Sequence, residues 1–318
     1  MVNKTIDVRN LSQKFGNIQA LQDVSFEAHE GEVLGILGHN GAGKTTLLRI
    51  LSTLETPSSG TVEIKGVDAL RNPGRVRNLI GVAGQNNSLD TRLSGQENLE
   101  MYARLNGFKK EYAKEAARKY IALFGLQSAK KRPAGTYSGG MLRKLDLGIA
   151  LLRRPKVLIL DEPTVGLDPL VREELWHKIE DLSAAGTTIV LSTQYLEEAD
   201  TLANRIILLN NGQMVANDSP DALKEKVGNT QLDIKTTSGS EVNTLVNVLN
   251  KCLPHPRSIL IRPGHTITIP SSPLVKAVEI INYLTESNVI ISEFTYRRPM
   301  LDDVIKVLSQ SEDASVSQ

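Results

Sequence analysis

The chain has 318 residues, with 37 Lys+Arg against 36 Asp+Glu and a formal charge of +1. Balanced charge and only 4% aromatic residues argue against a nucleic-acid partner, which needs a basic footprint and stacking rings. The single cysteine, Cys252, excludes an internal disulfide and a multi-thiolate metal centre and is expected to be a buried structural thiol, and the five histidines are too scattered for a metal site. At roughly 150 residues per domain the length suggests about two domains. No apolar run of about 18 residues is present to span a bilayer. Met1-Val2-Asn3-Lys4-Thr5 lacks the apolar centre of a secretion signal, so a cytoplasmic globular chain is expected.

In chain order, Ile6–Leu11 and Val24–Ala28 alternate apolar and polar residues, which predicts half-buried strands. Glu32–Leu37 predicts a more apolar strand that runs into a glycine-rich loop, and Thr46–Leu54 reads as the helix after it. Gly60–Gly66 is expected to be a short strand after a Pro-Ser-Ser-Gly turn. From about Asn86 to Leu152 the pattern becomes helical, clearest over Gln96–Asn106 and Lys109–Phe124, where apolar residues recur at three- and four-residue spacing. Ser94-Gly95-Gln96-Glu97 reads as the capping box of the first of these. Val157–Leu160 has the look of a buried parallel strand, repeated in Thr187–Leu191 and Arg205–Leu209, with helices expected over Leu170–Leu182 and Tyr195–Ala203. Strands alternating with helices predict an α/β layer fold.

Gly228-Asn229 marks an expected boundary between a first domain, 1–228, with a helical subdomain at about 86–152, and a second, 229–308. The second domain reads as strand, helix, two strands, helix and strand, the β-α-β-β-α-β order of a ferredoxin-like unit, followed by a short helix over Met300–Leu308. The Ser-rich tail, 309–318, is expected to be disordered.

The sharpest chemical signal is Gly38-His39-Asn40-Gly41-Ala42-Gly43-Lys44-Thr45, lying between an apolar strand and a helix. That spacing and context make a P-loop, in which glycines let backbone N–H groups converge on phosphate oxygens at a helix N-terminus. Lys44 is placed to reach the β- and γ-phosphates and the Thr45 hydroxyl to ligate Mg²⁺, with Thr46 completing the loop. Val157–Leu160 ends in Asp161-Glu162, at the strand end where open α/β sheets bind ligands. Asp161 is expected to hold Mg²⁺ through water and Glu162 to act as general base on the attacking water.

Tyr137-Ser138-Gly139-Gly140-Met141 resembles the signature motif of ATP-binding-cassette ATPases, where Leu-Ser-Gly-Gly-Gln is usual. Leu93-Ser94-Gly95-Gln96-Glu97 has a similar look, but it carries one glycine and comes too early. The resemblance implies an α/β P-loop ATPase domain with an inserted helical subdomain, followed by a small α+β domain. It implies that Ser138, Gly139 and Gly140 cap the γ-phosphate of ATP held by a second copy. Phe15, in Lys14-Phe15-Gly16, matches the aromatic that stacks on adenine. Gln85 matches the glutamine loop, which reaches Mg²⁺ and the attacking water beside the transmembrane partner. Asp168, in Gly166-Leu167-Asp168-Pro169, matches the loop that meets the opposite subunit, and it also suits an N-cap. Gln194 stands where the family usually has a switch histidine. It can donate a neutral hydrogen bond but cannot carry a charge or shuttle a proton.

Thr193–Asp200 and Arg298-Pro299-Met300-Leu301-Asp302-Asp303-Val304 narrow the resemblance to the daunorubicin-resistance subfamily of cassette exporters. This implies an ATPase subunit that pairs head to tail with a second copy and serves separate transmembrane permease subunits, peripheral on the inner face of the membrane. Its ATP and Mg²⁺ would lie between Gly38–Thr46 of one copy and Ser138–Gly140 of the other. A soluble cassette ATPase acting in DNA repair or translation is the alternative. Against it, the interval before Asp161 has no heptad run and the chain carries one cassette.

Overall fold

The computed structural model describes residues 3–84, 89–226, 230–237, 239–252, 259–262, 264–270, 274–286 and 291–313. In chain order the elements begin with β1 (Lys4–Phe15), β2 (Ile18–His29), β3 (Val33–Leu37), α1 (Lys44–Leu51), β4 (Ser59–Ile64), β5 (Val67–Asp68), α2 (Pro73–Val76) and β6 (Ile80–Ala83). There follow α3 (Gly95–Leu105), α4 (Lys110–Leu123), α5 (Gly139–Ala150), β7 (Val157–Asp161), α6 (Pro169–Ala184), β8 (Thr188–Ser192), α7 (Leu196–Leu202), β9 (Arg205–Asn210), β10 (Gln213–Asp218) and α8 (Pro220–Glu225). The last are β11 (Gln231–Thr236), α9 (Gly239–Cys252), β12 (Leu260–Arg262), β13 (Thr266–Pro270), α10 (Leu274–Glu286), β14 (Ile291–Arg297) and α11 (Leu301–Asp313). The chain divides into two compact units, Met1–Asp218 and Ser219–Gln318. The expected boundary at Gly228-Asn229 lies outside the described residues. The division comes ahead of it because α8 packs against α11 and so belongs to the second unit.

The first unit is built on a six-stranded sheet in the order β10-β9-β3-β8-β7-β6. Five of its strands are parallel, and β10 pairs antiparallel with β9 at one edge. Both faces of this sheet are covered, which is why its strands read as unbroken apolar runs. Leu158 and Leu160 enter the core shared with α3 to α6, while Val157 and Ile159 enter the core on the other side. That second core is closed by an antiparallel sheet, β2-β1-β4-β5, and by Leu47, Leu48, Ile50 and Leu51 of α1.

β1 and β2 run well beyond the alternating stretches. Their ladder shifts register at four places between Lys4 and Lys14, and Asn10 and Asp23 take left-handed φ of +47° and +50°. Each bulge reverses the in–out phase, so pairing continues to Phe15 although the simple alternation stops at Leu11. The capping box opens α3 as expected: Glu97 N–H donates to Ser94 Oγ at 3.3 Å, and Ser94 N–H donates to Glu97 Oε2 at 2.8 Å.

The second unit has the β-α-β-β-α-β order, with a fully antiparallel sheet β12-β13-β11-β14. Leu232, Ile234, Ile267 and Ile269 pack with Leu245 and Leu249 of α9. Asp233 of β11, Arg262 of β12 and Arg297 of β14 place charge in this sheet and pair with one another or with α11. Arg297 binds Asp233 at 2.6 Å and Asp303 at 2.7 Å, and Arg262 binds Asp302 at 2.7 Å and also Asp303. α11 continues to Asp313, past the point where the Ser-rich tail was expected to begin. Leu301 and Val304 are buried, and Asp302 and Asp303 suit the helix N-terminus, so a helix started by packing carries on through weak formers.

Burial alone would raise the Asp303 carboxyl. Hydrogen bonds from Arg297 and Met300 N–H, with the Arg262 charge, instead hold it below the usual carboxylate range. Its contribution to stability is therefore present above that range and is lost as pH falls through it. Replacing it as Asp303→Asn leaves two guanidinium groups short of a counter-charge and should cost about 3 kcal/mol at neutral pH. Urea unfolding at neutral and acid pH checks this: the difference from wild type should shrink as the pH falls below about 4.

Candidate functional site

The chain leaves the fully buried β3 at Leu37 and enters the glycine-rich loop. Gly38 and Gly43 are there for steric reasons. At Gly38 (φ +155°) a Cβ would lie 2.4 Å from the Leu209 carbonyl oxygen, and at Gly43 (φ +105°) it would lie 2.5 Å from that of Ala20. Gly41, at φ +87°, faces open space. Gly43 caps α1, whose first turn carries no acidic residue, so its N-terminal N–H groups keep their positive potential. Ala42 is fully buried beneath the loop. His39 is held by the Asn40 carbonyl (2.7 Å) and by Asn210 Oδ1 (3.1 Å).

This loop lines a cavity of about 330 Å³ together with Ile18, Gln19, Ala20, Thr45, Thr46 and Glu162. Lys44 Nζ donates to the carbonyls of Gly38 (2.7 Å) and His39 (3.0 Å), which sets the ammonium against the loop. Burial lowers its pKa, while the charges of Glu162 and Asp161 act to raise it. Phe15 stands at the end of β1, 44% exposed and paired in register with Ile18 at the cavity rim.

Parallel pairing brings the acidic pair to the same end of the sheet. Asp161 lies opposite Ser192, and Ser192 lies opposite Ile36, two residues before Gly38. Ser192 Oγ donates to Asp161 Oδ1 at 2.5 Å and fixes its carboxylate. Glu162 is buried and takes φ +48°, a left-handed conformation that costs a non-glycine residue about 1–3 kcal/mol. Its N–H donates to the Ser192 carbonyl at 3.0 Å, which helps to hold that turn. Gln194 follows β8 and is exposed.

Ser138 is the N-cap of α5, accepting the Met141 N–H at 3.3 Å, and Ser138 and Gly139 are exposed. Gly140 packs where α5 meets α6: a Cβ there would lie 2.6 Å from Val171 Cγ1. Asp168 caps α6 by accepting the Val171 N–H at 3.0 Å, and is exposed. Ser138, Gly139, Gly140 and Asp168 are not among the residues lining the cavity. Gln85 lies outside the described residues. Among the described residues no three His, Cys, Asp or Glu side chains gather to hold a metal.

Sequence reasoning missed three groups. Ser192 is one, on a strand legible only as apolar. The second is Glu198, fully buried, whose Oε1 accepts from Thr164 Oγ1 (2.8 Å) and Trp176 Nε1 (3.1 Å). Burial pushes its pKa up, against hydrogen bonds from Thr193, Thr164 and Trp176. The third is the pair Arg143 and Asp146 on α5, both buried, with Arg143 reaching main-chain carbonyls around Asp161 and Glu162. Burial pushes the Asp146 carboxyl up to about 6, against Arg143 and the Gly84 N–H. The available signal was two charged residues amid the apolar positions of one helix.

The family profile described as "ABC transporter" matches residues 21–165. The chain is 40% identical over 304 residues to the doxorubicin resistance ATP-binding protein DrrA of Mycobacterium tuberculosis, covering 95% of this chain and 92% of that protein. Among solved structures it resembles an ATP-binding subunit of an ABC transporter, at 28% identity and a TM-score of 0.64, covering 70% of this chain and 93% of that one. It also resembles a bacterial ABC transporter cassette solved as a dimer, at 25% identity and a TM-score of 0.62, covering 67% and 98%.

The loop geometry separates two glycines. Gly43→Ala combines a left-handed φ with a backbone clash and should destabilise the chain by about 3 kcal/mol. Gly41→Ala carries only the strain of its φ and should cost about 1 kcal/mol. Chemical denaturation of both variants checks that order.

Proposed function

The chain belongs to the ABC transporter family, among its ATP-binding subunits, and on that premise we propose that it hydrolyses ATP between two head-to-tail copies to drive a separate membrane permease. The observation that carries this reading is the division of the site. The phosphate loop, Lys44 and Glu162 share one cavity, whereas Ser138 and Gly139 sit exposed at the start of α5 and do not line it. A helix N-terminus led by Ser-Gly-Gly is built to meet an anion. The anion it would meet is the γ-phosphate of ATP seated in the second copy.

Each residue then has a physical task. The loop N–H groups and Lys44 take the phosphates, and the exposed Phe15 ring stacks on adenine. Thr45 and Asp161 offer hard oxygen donors of the kind Mg²⁺ takes, and the ion when bound neutralises charge on the phosphates. Ser192 keeps the Asp161 carboxylate oriented. Glu162 accepts the proton of the attacking water. Gln194 donates a neutral amide N–H to the γ-phosphate and leaves proton transfer to Glu162. Asp168 meets the opposite copy while capping α6, and Gln85 leads toward the permease. Drawing two copies together around ATP buries charge that neither half neutralises alone, so nucleotide favours the closed pair.

No helix of the described residues is long and apolar enough to cross a membrane. The transmembrane path would therefore be supplied by the permease, with this subunit peripheral on the inner face. The cargo would be a drug, lipid or glycopolymer. A drug agrees with the name of the Mycobacterium tuberculosis relative.

Glu162→Gln keeps the shape of the site and removes its base. It should slow phosphate release by roughly 10²–10⁴-fold while ATP still binds, and gel filtration with ATP should show an accumulated dimer. Wild-type turnover in that variant would contradict the assignment. Gln194→Ala should lower kcat with little change in its pH profile, because the amide does not titrate.

A further inference from the structure

We propose that Arg143 is a positioning residue, which holds the strained backbone of Asp161 and Glu162 and ties it to the segment entering Gln85. The inference deepens the ATPase reading above and rests on it. Arg143 lies in the second turn of α5, the helix that Ser138 caps, and only 9% of it is exposed. Its Nε donates to the Pro163 carbonyl at 2.7 Å. One terminal nitrogen donates to the carbonyls of Asp161 at 2.9 Å and Glu162 at 2.5 Å, and the other donates to the carbonyl of Gly84. The guanidinium thus joins three consecutive carbonyls of one turn to a fourth from the end of β6.

That turn is where Glu162 takes φ +48°. Three successive carbonyl oxygens facing one point repel one another, and a buried planar cation is what lets them converge. Arginine is suited to this because its donors form a rigid fork, whereas an ammonium is a single point. Asp146, one turn further along α5, lies 3.7 Å from Arg143 and faces the Gly84 N–H. Gly84, immediately before Gln85, is therefore held at its carbonyl by Arg143. The signature helix, the catalytic turn and the entry to the glutamine loop share one buried strut. Movement of α5 when Ser138 is engaged would reach Glu162 through this side chain.

The test uses the full chain with Arg143→Lys and Arg143→Met, measuring steady-state kcat and KM for ATP, nucleotide affinity and thermal unfolding. Lysine keeps the charge and the stem but cannot span four carbonyls. It should unfold within a few degrees of wild type and bind ATP normally, yet lose about tenfold or more in kcat, because displacing a reacting group by about 1 Å costs up to 10²-fold. Methionine keeps the packing and removes the donors, and it should lose more. KM should change less than threefold in both. A lysine variant with wild-type kcat overturns the inference, as does a loss confined to KM or one that merely follows thermal stability. A wild-type chain that releases no phosphate would instead sink the ATPase reading itself, so the two failures are distinguishable.

Discussion

Parallel pairing of β3, β8 and β7 is the constraint on which the site depends. It places Ile36, Ser192 and Asp161 in one row across the sheet, so that three chain segments leave the core side by side. Both faces of the sheet are buried, which leaves the strand ends as the outlet for polar chemistry. A slip of one residue between β7 and β8 would turn Asp161 toward a core face and break its 2.5 Å contact with Ser192. The phosphate loop and the acidic pair are therefore brought together by apolar register, with polar contacts refining what the strands have already placed.

The segment from Asp161 to Asp168 is then fixed from several directions. Arg143 gathers its first carbonyls, Glu198 takes the Thr164 hydroxyl, and Asp168 anchors the far end as the cap of α6. Arg143 and Glu198 are both buried ionisable groups, and each makes more than one hydrogen bond, those of Glu198 all to Oε1. Such groups are costly to bury and are tolerated where their hydrogen bonds are made. The same segment carries the left-handed Glu162, and strain of that kind persists when the surroundings over-determine it. On the proposed reading, rigidity inside each subunit complements an opening between subunits: the catalytic turn is held firmly while the capping helix waits for the other copy.

Much of this was legible in the sequence, and the limits have physical causes. The phosphate loop was readable because glycines at fixed spacing report a backbone requirement, and Gly38 and Gly43 indeed leave no room for a Cβ. The caps at Ser94 and Asp168 were readable because an N-cap is a local hydrogen bond. The extent of β1 and β2 was not, since bulges at several points reset the alternation. β6, β10 and α8 were missed because glycine or polar residues interrupt their few apolar positions, so that neither a run nor a period shows. The task of Arg143 was not readable for another reason: its charge among apolar helix positions hints at burial, but its partners are carbonyl oxygens, which every residue has and no sequence pattern marks. Likewise, the Arg298–Val304 stretch was noticed for its resemblance, whereas its structural content is the burial of Asp303 between Arg262 and Arg297, visible only once the strands are paired.

The central claim is that one polypeptide carries only part of a catalytic site. Mixing two separately inactive variants tests it most directly, one disabled in the phosphate loop as Lys44→Ala and the other in the capping motif as Ser138→Arg. In a mixed pair one of the two sites combines an intact loop with an intact cap, so an equal mixture should recover up to roughly a quarter of wild-type phosphate release. Activity no greater than the sum of the two variants alone, under conditions where mixed pairs form, would contradict the account.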